Sequence, residues 1–163
     1  MEVWELVARE SIRDRIARWN SNGDAGRFAE MVQVLAPDVE FQATGSAAIY
    51  GRDNVLAYLG GVGDEKAPAK VSVGRYLPPG GRPSIRHYTS TIQIDLTSET
   101  SARVRSYYAV LSTFGLDHWG RYLDEFGVVD GEWLITKRTV STEGVDPDGW
   151  AAVIVASHPD PLA

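Results

Sequence analysis

The stretch Gly120-Arg121-Tyr122-Leu123-Asp124-Glu125-Phe126, followed by Asp130-Gly131-Glu132-Trp133, is the most informative part of the chain. It predicts two strands joined by a tight turn, because Asp-Gly is a favoured pair at the centre of short hairpins. Side chains alternate along a strand, so Tyr122, Asp124 and Phe126 share one face. An acid beside a phenol on such a face is either a structural hydrogen-bonded pair or the polar end of a small-molecule pocket.

Upstream of this hairpin, helices precede strands. Apolar spacing predicts helices over residues 5–21, 25–35 and 53–59, with a short strand at 39–41. Alternating patterns predict strands at 85–96, 102–114, 119–128 and 132–142. Residues 61–83 are rich in Gly and Pro and are predicted to form a long loop with a strand near 71–73. This order predicts an α+β fold with a curved antiparallel sheet around the N-terminal helices.

The chain length predicts one domain. The 163 residues form a core at about 5–142 and a tail at 143–163. The apolar run 151–156 in that tail is expected to form a last strand or to pack across a partner subunit.

Composition narrows the classes of function. The net charge of −6 and the lack of basic runs argue against nucleic-acid binding. There is no cysteine, so disulfides and thiolate nucleophiles are excluded. No apolar run reaches the ~20 residues that cross a bilayer. The acidic N-terminus lacks the features of a signal peptide. A soluble, cytoplasmic protein that binds neither nucleic acid nor membranes is expected.

Four segments together resemble the SnoaL-like branch of the nuclear-transport-factor-2-like superfamily. They are Ile12-Arg13-Asp14 to Phe28, Leu35-Ala36-Pro37-Asp38-Val39, Tyr50-Gly51-Arg52-Asp53, and the hairpin sequence Gly120-Arg121-Tyr122-Leu123-Asp124 with Asp130-Gly131-Glu132-Trp133. The resemblance runs from about residue 10 to 140. It implies a cone-shaped half barrel, and its members include scytalone dehydratases, ketosteroid isomerases, polyketide cyclases, epoxide hydrolases and non-catalytic relatives. It therefore predicts the cone better than the chemistry.

His87 is the strongest acid-base candidate, because imidazole titrates near neutral pH. The resemblance places it where dehydratase-like relatives keep a pocket histidine. One face of its strand is polar and carries His87, Thr89, Thr91 and Gln93. The other face is apolar and carries Tyr88, Ile92, Ile94 and Leu96. If the apolar face is the buried one, His87 is exposed or merely hydrogen-bonded. The conflict between the faces suggests a bulge.

Asp124 is the second candidate. In the SnoaL-like pattern its face looks inward, and a half-buried carboxylate among aromatics could act as a base. The alternative is a structural ion pair with Arg138 on the neighbouring strand. Tyr108, Tyr122 and Tyr50 can donate hydrogen bonds to a substrate oxygen, although a tyrosine in such a position is more often a core aromatic with a polar tip.

Two departures weaken a direct copy of the dehydratase mechanism. Scytalone dehydratases end the first helix with Tyr-Asp, where this chain has Trp19-Asn20. Their second pocket histidine is not evident, because the corresponding strand end reads Ser112-Thr113-Phe114. His118 is expected in a solvated turn beside Asp117, and His158 in the tail. No histidine pair has metal-ligand spacing, so neither a metal nor a cofactor is expected.

These residues predict a cofactor-independent lyase, isomerase or cyclase acting on a small, apolar, oxygenated molecule that is polyketide-, terpenoid- or steroid-like. His87 moves a proton and Asp124 orients it or acts as its partner. Further substrate contacts are expected from the side chains of Tyr108, Tyr122, Trp19, Asn20, Tyr50, Phe28 and Arg138.

Two alternatives stay open. One is a non-catalytic ligand-binding or assembly module, and the other is the small subunit of a ring-hydroxylating oxygenase. The exposed sheet faces of such cones commonly pair, which predicts a homodimer.

Overall fold

A computed structural model describes residues 1–64, 85–112 and 115–152 of the chain. The helices are α1 (Val3–Asp24), α2 (Phe28–Met31) and α3 (Arg52–Asp64), and a 3₁₀ turn, Val32–Val34, follows α2. The strands are β1 (Leu35–Ala43), β2 (Ile49–Tyr50), β3 (Arg86–Ser98), β4 (Ser101–Ser112), β5 (Gly115–Val129) and β6 (Glu132–Val145). The predicted strand at 71–73, most of the predicted 61–83 loop, and His158 lie outside the described residues.

The strands form one open sheet in the order β2-β1-β6-β5-β4-β3. All neighbours are antiparallel except β1 and β6, which run parallel. The α+β prediction is confirmed, and the sheet is mixed rather than purely antiparallel. The Asp-Gly hairpin is present, with Asp130 and Gly131 both at positive φ between β5 and β6.

The core lies between α1 and the concave face of the sheet. Helix α1 buries Ala8, Ile12, Ile16 and Trp19, which recur every three or four residues and so share one side of the helix. They pack with buried strand residues such as Val104. No helix in the described ranges is both long and apolar enough to cross a bilayer.

The bulge suggested for the His87 strand is present. The pairing of β3 with β4 shifts between Ser90 and Gln93, and Thr91 has a φ of 51°. Before the shift His87 pairs with the buried Val110, and after it Ile94 pairs with the buried Val104. An extra residue exchanges the two faces of a strand. The face of His87 and Thr89 therefore points inward before the bulge, and the face of Ile94 points inward after it.

Several predicted boundaries differ. The 25–35 helix is split, because β1 begins at Leu35 and takes in Pro37 within the irregular stretch of its pairing with β6. The prediction of a last strand at 151–156 is wrong for its first two residues, since residues 150–152 form a helical turn. Residues 153–156 lie outside the described part of the chain. Asp24 is the last residue of α1, and its carboxylate bonds to His87 on β3.

Candidate active site

A cavity of about 300 Å³ lies between the concave face of the sheet and the three helices. Trp19, Phe28, Met31 and Phe41 form much of its apolar wall. The polar lining comes from His87, Tyr108, His118, Tyr122, Thr44 and Thr142. An apolar space with a few convergent polar groups is typical of a small-molecule site.

His87 reaches this cavity from β3 and is anchored by Asp24. Its Nδ1 lies 2.6 Å from Asp24 Oδ1, and its backbone N–H donates to Asp24 Oδ2 at 3.1 Å. Burial lowers the pKa of His87, against the hydrogen bond and the charge of Asp24, which act in the opposite direction. The carboxylate fixes the ring by accepting from Nδ1–H, which leaves Nε2 as the free nitrogen.

A second imidazole-carboxylate pair faces the first. His118 Nδ1 lies 2.7 Å from Asp117 Oδ1, and both residues are buried. Asp117 also accepts backbone N–H bonds from Trp150 at 2.7 Å and Ala151 at 3.1 Å. Burial would raise the pKa of Asp117, but these hydrogen bonds outweigh it and the pKa is lowered. One carboxylate therefore fixes both the ring of His118 and the C-terminal turn that closes this side of the cavity.

The two imidazoles and two tyrosines form one cluster. The ring centroids of His87 and His118 are 6.4 Å apart in an edge-to-face arrangement. Tyr108 lies 6.5 Å from His87 and 5.8 Å from His118, and it stacks on Tyr122 at 4.7 Å. Burial raises the pKa of both phenols, so Tyr108 and Tyr122 stay protonated and can donate hydrogen bonds.

Asp124 does not share this site. Its carboxylate takes two hydrogen bonds from Arg138, at 2.8 Å from Nε and 2.6 Å from Nη2, and both side chains are fully buried. The Arg138 guanidinium lies 4.7 Å from the ring centre of Trp19 and 4.6 Å from that of Tyr122. Burial alone would lower the pKa of Arg138, but Asp124 outweighs it and the pKa is raised. The prediction that Asp124 partners His87 is wrong, since Asp24 takes that place.

The remaining predicted contacts divide into three groups, which line the cavity, lie away from it or support its wall. Trp19, Phe28, Tyr108 and Tyr122 line the cavity with His87. Tyr50 does not, because its side chain is 62% exposed on the edge strand β2.

Asn20 lies behind the cavity wall. It accepts from the Tyr122 hydroxyl at 3.5 Å and donates to Thr89 at 2.5 Å. Asn20 and Arg138 thus support the wall rather than form it.

Two functional candidates are absent from the sequence prediction. Asp24 lies one helical turn after Asn20 on the same side of α1, so the helical period could have found it. His118 lies two residues before Gly120 and four before Tyr122, so strand alternation would place it on the same inward face. The sequence predicts a turn at this position instead. The pairing of β5 with β4 shifts beside it, between Leu116 and His118. This bulge lets the consecutive residues Asp117 and His118 both point inward. The expectation that His118 is solvated is wrong, since it is 8% exposed.

The described residues contain no group of three or more His, Asp or Glu side chains arranged to hold a metal ion. The chemistry within reach of this cluster is proton transfer. A neutral imidazole can remove a proton, and protonated phenols can polarise an oxygen.

Comparisons with known proteins give the family. The sequence model of the SnoaL-like domain matches residues 4–139. No curated protein sequence matches the chain significantly.

Solved structures share the fold at low sequence identity. A candidate scytalone dehydratase from Novosphingobium aromaticivorans DSM 12444 is 24% identical, with a TM-score of 0.69 over 90% of this chain and 91% of that one. A protein of unknown function with a cystatin-like fold from Nostoc punctiforme PCC 73102 is 16% identical, with a TM-score of 0.66 over 95% of each chain. The beta subunit of a candidate aromatic-ring-hydroxylating dioxygenase, also from N. aromaticivorans DSM 12444, is 16% identical, with a TM-score of 0.65 over 87% of this chain and 93% of that one. At these low identities the structural matches show that the cone fold is shared, and no more. The family model, in contrast, matches most of the sequence, so the chain belongs to the SnoaL-like domain family.

Proposed function

We propose that this protein is a cofactor-independent lyase, isomerase or cyclase that moves a proton within a small, largely apolar, oxygenated metabolite. The observation that carries the proposal is the pair of carboxylate-anchored imidazoles, His87 with Asp24 and His118 with Asp117, whose rings lie 6.4 Å apart in an apolar cavity. Each anchored ring keeps one nitrogen free for a substrate. This is the arrangement that general acid-base catalysis requires.

His87 is the proposed base. Its lowered pKa keeps the imidazole neutral at physiological pH, and Asp24 stabilises the imidazolium that forms when a proton is taken up. The imidazole would remove a proton from a carbon next to a carbonyl group. The proton would then return to another carbon in an isomerisation, or join a leaving hydroxyl to release water in an elimination. In both cases His87 ends as it began, so no external acid or oxidant is needed.

The tyrosines are proposed to polarise the carbonyl oxygen. Their raised pKa values make them donors, and Tyr108 is held by a hydrogen bond of 2.9 Å to Thr142. Behind Tyr122, the guanidinium of Arg138 lies 4.6 Å from the ring centre. This contact, with the Arg138–Asp124 ion pair behind it, holds the Tyr122 ring in position to donate.

The proposal is tested without knowing the natural substrate. Protein is incubated in D₂O with β-hydroxy ketones and β,γ-unsaturated ketones of increasing apolar size, and NMR follows the products. We expect deuterium to enter next to the carbonyl, with loss of water or movement of the double bond. If no ketone in the panel exchanges faster than in buffer, while the same compounds bind the cavity, the protein is a binding module instead.

The pH dependence of kcat/KM on the best ketone gives a second test. Because only neutral His87 can take up a proton, the rate should be constant near neutrality and fall as the pH drops through its lowered pKa. The midpoint should therefore lie below the ordinary value of about 6.5. NMR titration of the His87 ring in the free protein should give the same midpoint. A midpoint above 6.5 in both measurements contradicts the assignment of His87 as the base.

We also propose that the protein is a homodimer formed through the convex face of the sheet. Exposed aromatic and aliphatic side chains cluster there on β3, β4 and β5: Tyr88, Tyr107, Leu111, Leu116, Trp119 and Leu123. Tyr88, Ala109 and Trp119 are paired across the three strands, and Leu111 pairs with Leu116, so these members are adjacent. Contiguous apolar surface of this kind marks an association site, and a two-fold axis would cover it with its own copy.

Replacing Tyr107 with Glu should convert the dimer to a monomer of 17.9 kDa in light scattering. The two-fold axis would bury two negative charges, one from each subunit, near each other in the interface. Tyr50→Glu is the matched control, since Tyr50 is similarly exposed but lies on β2, at the other edge of the sheet. A monomeric wild-type protein, or a Tyr107→Glu variant that stays dimeric, would refute the proposed interface. A stable homodimer alone would also count against the oxygenase-subunit alternative.

A further inference from the structure

A second concave space lies next to the cavity, between the C-terminal half of α1 and the start of β3. This groove has a volume of about 590 Å³, which is within the range of small-molecule sites. His87 lies on the wall of both spaces, whereas Asp24 lines the groove. Asn20 and Thr89, which bond to each other, also face it. Asn20, Thr89 and Asp24, which lie behind the wall of the cavity, therefore form part of the wall of the groove.

The groove is strongly basic although the chain is acidic. Arg13, Arg27 and Arg86 line it, and among the described lining residues Asp24 is the one carboxylate. The charge of Asp24 is already shared with His87, from which it accepts two hydrogen bonds. Three guanidinium groups facing one occupied carboxylate stand out in a protein with a net charge of −6. A concave surface lined by one sign of charge raises the local concentration of oppositely charged ligands.

These arginines also lack acidic partners among the described residues. Elsewhere on α1, Arg15 pairs with Glu132 at 3.2 Å and Arg18 with Asp14 at 2.6 Å. By contrast, the three groove arginines have no carboxylate within ion-pair distance in the part of the chain that the structure describes. Arg27 donates from Nε and Nη2 to the side-chain oxygen of Asn22, and within the described ranges Arg86 donates to the carbonyl of Ile85. Each guanidinium therefore keeps donors free for an added oxyanion.

We propose that this arginine groove is a binding site for the phosphate or carboxylate group of a small molecule. Guanidinium groups bind both oxyanions through paired, charge-assisted hydrogen bonds. The apolar body of the ligand would rest on Ala17 and Ile92, which also line the groove. The site goes beyond the acid-base chemistry proposed for the cavity and does not require it.

The experiment compares phenyl phosphate, phenylacetate and the neutral benzyl alcohol by NMR titration of the intact protein. Both anions, or one of them, should shift the backbone amides of Ala25, Arg86 and Thr89. A response to one anion alone identifies phosphate or carboxylate as the preferred group. Binding should weaken as salt is added. The double variant Arg13→Gln/Arg86→Gln should bind at least about tenfold more weakly. Arg103→Gln, an exposed arginine on β4, is the matched control and should leave binding unchanged.

Three outcomes overturn the proposal. Neither anion shifts the groove amides, benzyl alcohol binds as tightly as the anions, or the double variant binds like wild type. Shifts confined to cavity residues such as Tyr108 and His118 count the same way, because they place the ligand in the other space. The single variants Arg13→Gln and Arg86→Gln keep the test open if the double variant is poorly folded. None of these readouts depends on turnover, so a failure of the proposed catalysis is seen separately, in the D₂O assay.

Discussion

His87→Ala should lower the rate of proton exchange by about 10²–10⁴, the usual contribution of a positioned acid-base group, and leave the fold intact. The reason is that the free nitrogen of His87 is the proposed acceptor of the substrate proton, and Asp24 can only support it through Nδ1. The loss should appear in kcat rather than in ligand affinity, because the apolar wall that binds the substrate is untouched. Deuterium incorporation measured by NMR, with wild-type protein alongside, gives the ratio.

Two companion variants separate this role from a structural one. Added imidazole should restore part of the activity of His87→Ala by occupying the vacated space, which a merely structural histidine would not allow. Gln93→Ala is the matched control, since Gln93 is on the same strand beyond the bulge and its side chain is exposed. Undiminished exchange in His87→Ala, or an equal loss in Gln93→Ala, would remove His87 from the mechanism.

The sequence was sufficient for the fold because the fold depends on periodic features. The helical spacing of Ile12, Ile16 and Trp19 and the Asp130-Gly131 turn each predict one local structure, and each is present. The parallel pairing of β1 with β6 carries no such signal. It joins residues about a hundred positions apart, such as Phe41 with Arg138, so it is determined by packing across the whole core and not by a local pattern.

The site was predicted less well because it depends on bulges and helix ends. Period-two alternation correctly places Asp124 on the inward face. It does not show that both carboxylate oxygens of Asp124 accept hydrogen bonds from Arg138. Similarly, it cannot place Asp117 and His118 on the same side, since only a shift in pairing does so. Asp24 becomes the partner of His87 because α1 runs to residue 24, three residues beyond its predicted end.

Asp124→Leu should destabilise the protein by about 3–5 kcal/mol, because it leaves Arg138 as an unpaired charge in the core. The guanidinium is fully buried, and its Nη1 already lacks a hydrogen-bond partner among the described residues. A loss of this size is a large part of the 5–15 kcal/mol by which a typical domain is stable. Urea unfolding followed by tryptophan fluorescence measures it, as a lower midpoint at an unchanged slope.

The double variant Asp124→Leu/Arg138→Met decides whether the cost comes from the stranded charge or from lost packing. Replacing a whole buried ion pair with apolar side chains is often neutral, so most of the stability should return. Activity should not return, because the guanidinium that packs against the Tyr122 ring is gone. Glu143→Gln, which breaks an exposed pair with Arg121, is the control and should cost far less. If the double variant is as unstable as Asp124→Leu, packing around Trp19 and Tyr122 explains the loss. The ion pair would then stabilise the cavity wall through its shape, and its charge would have no separate role in folding.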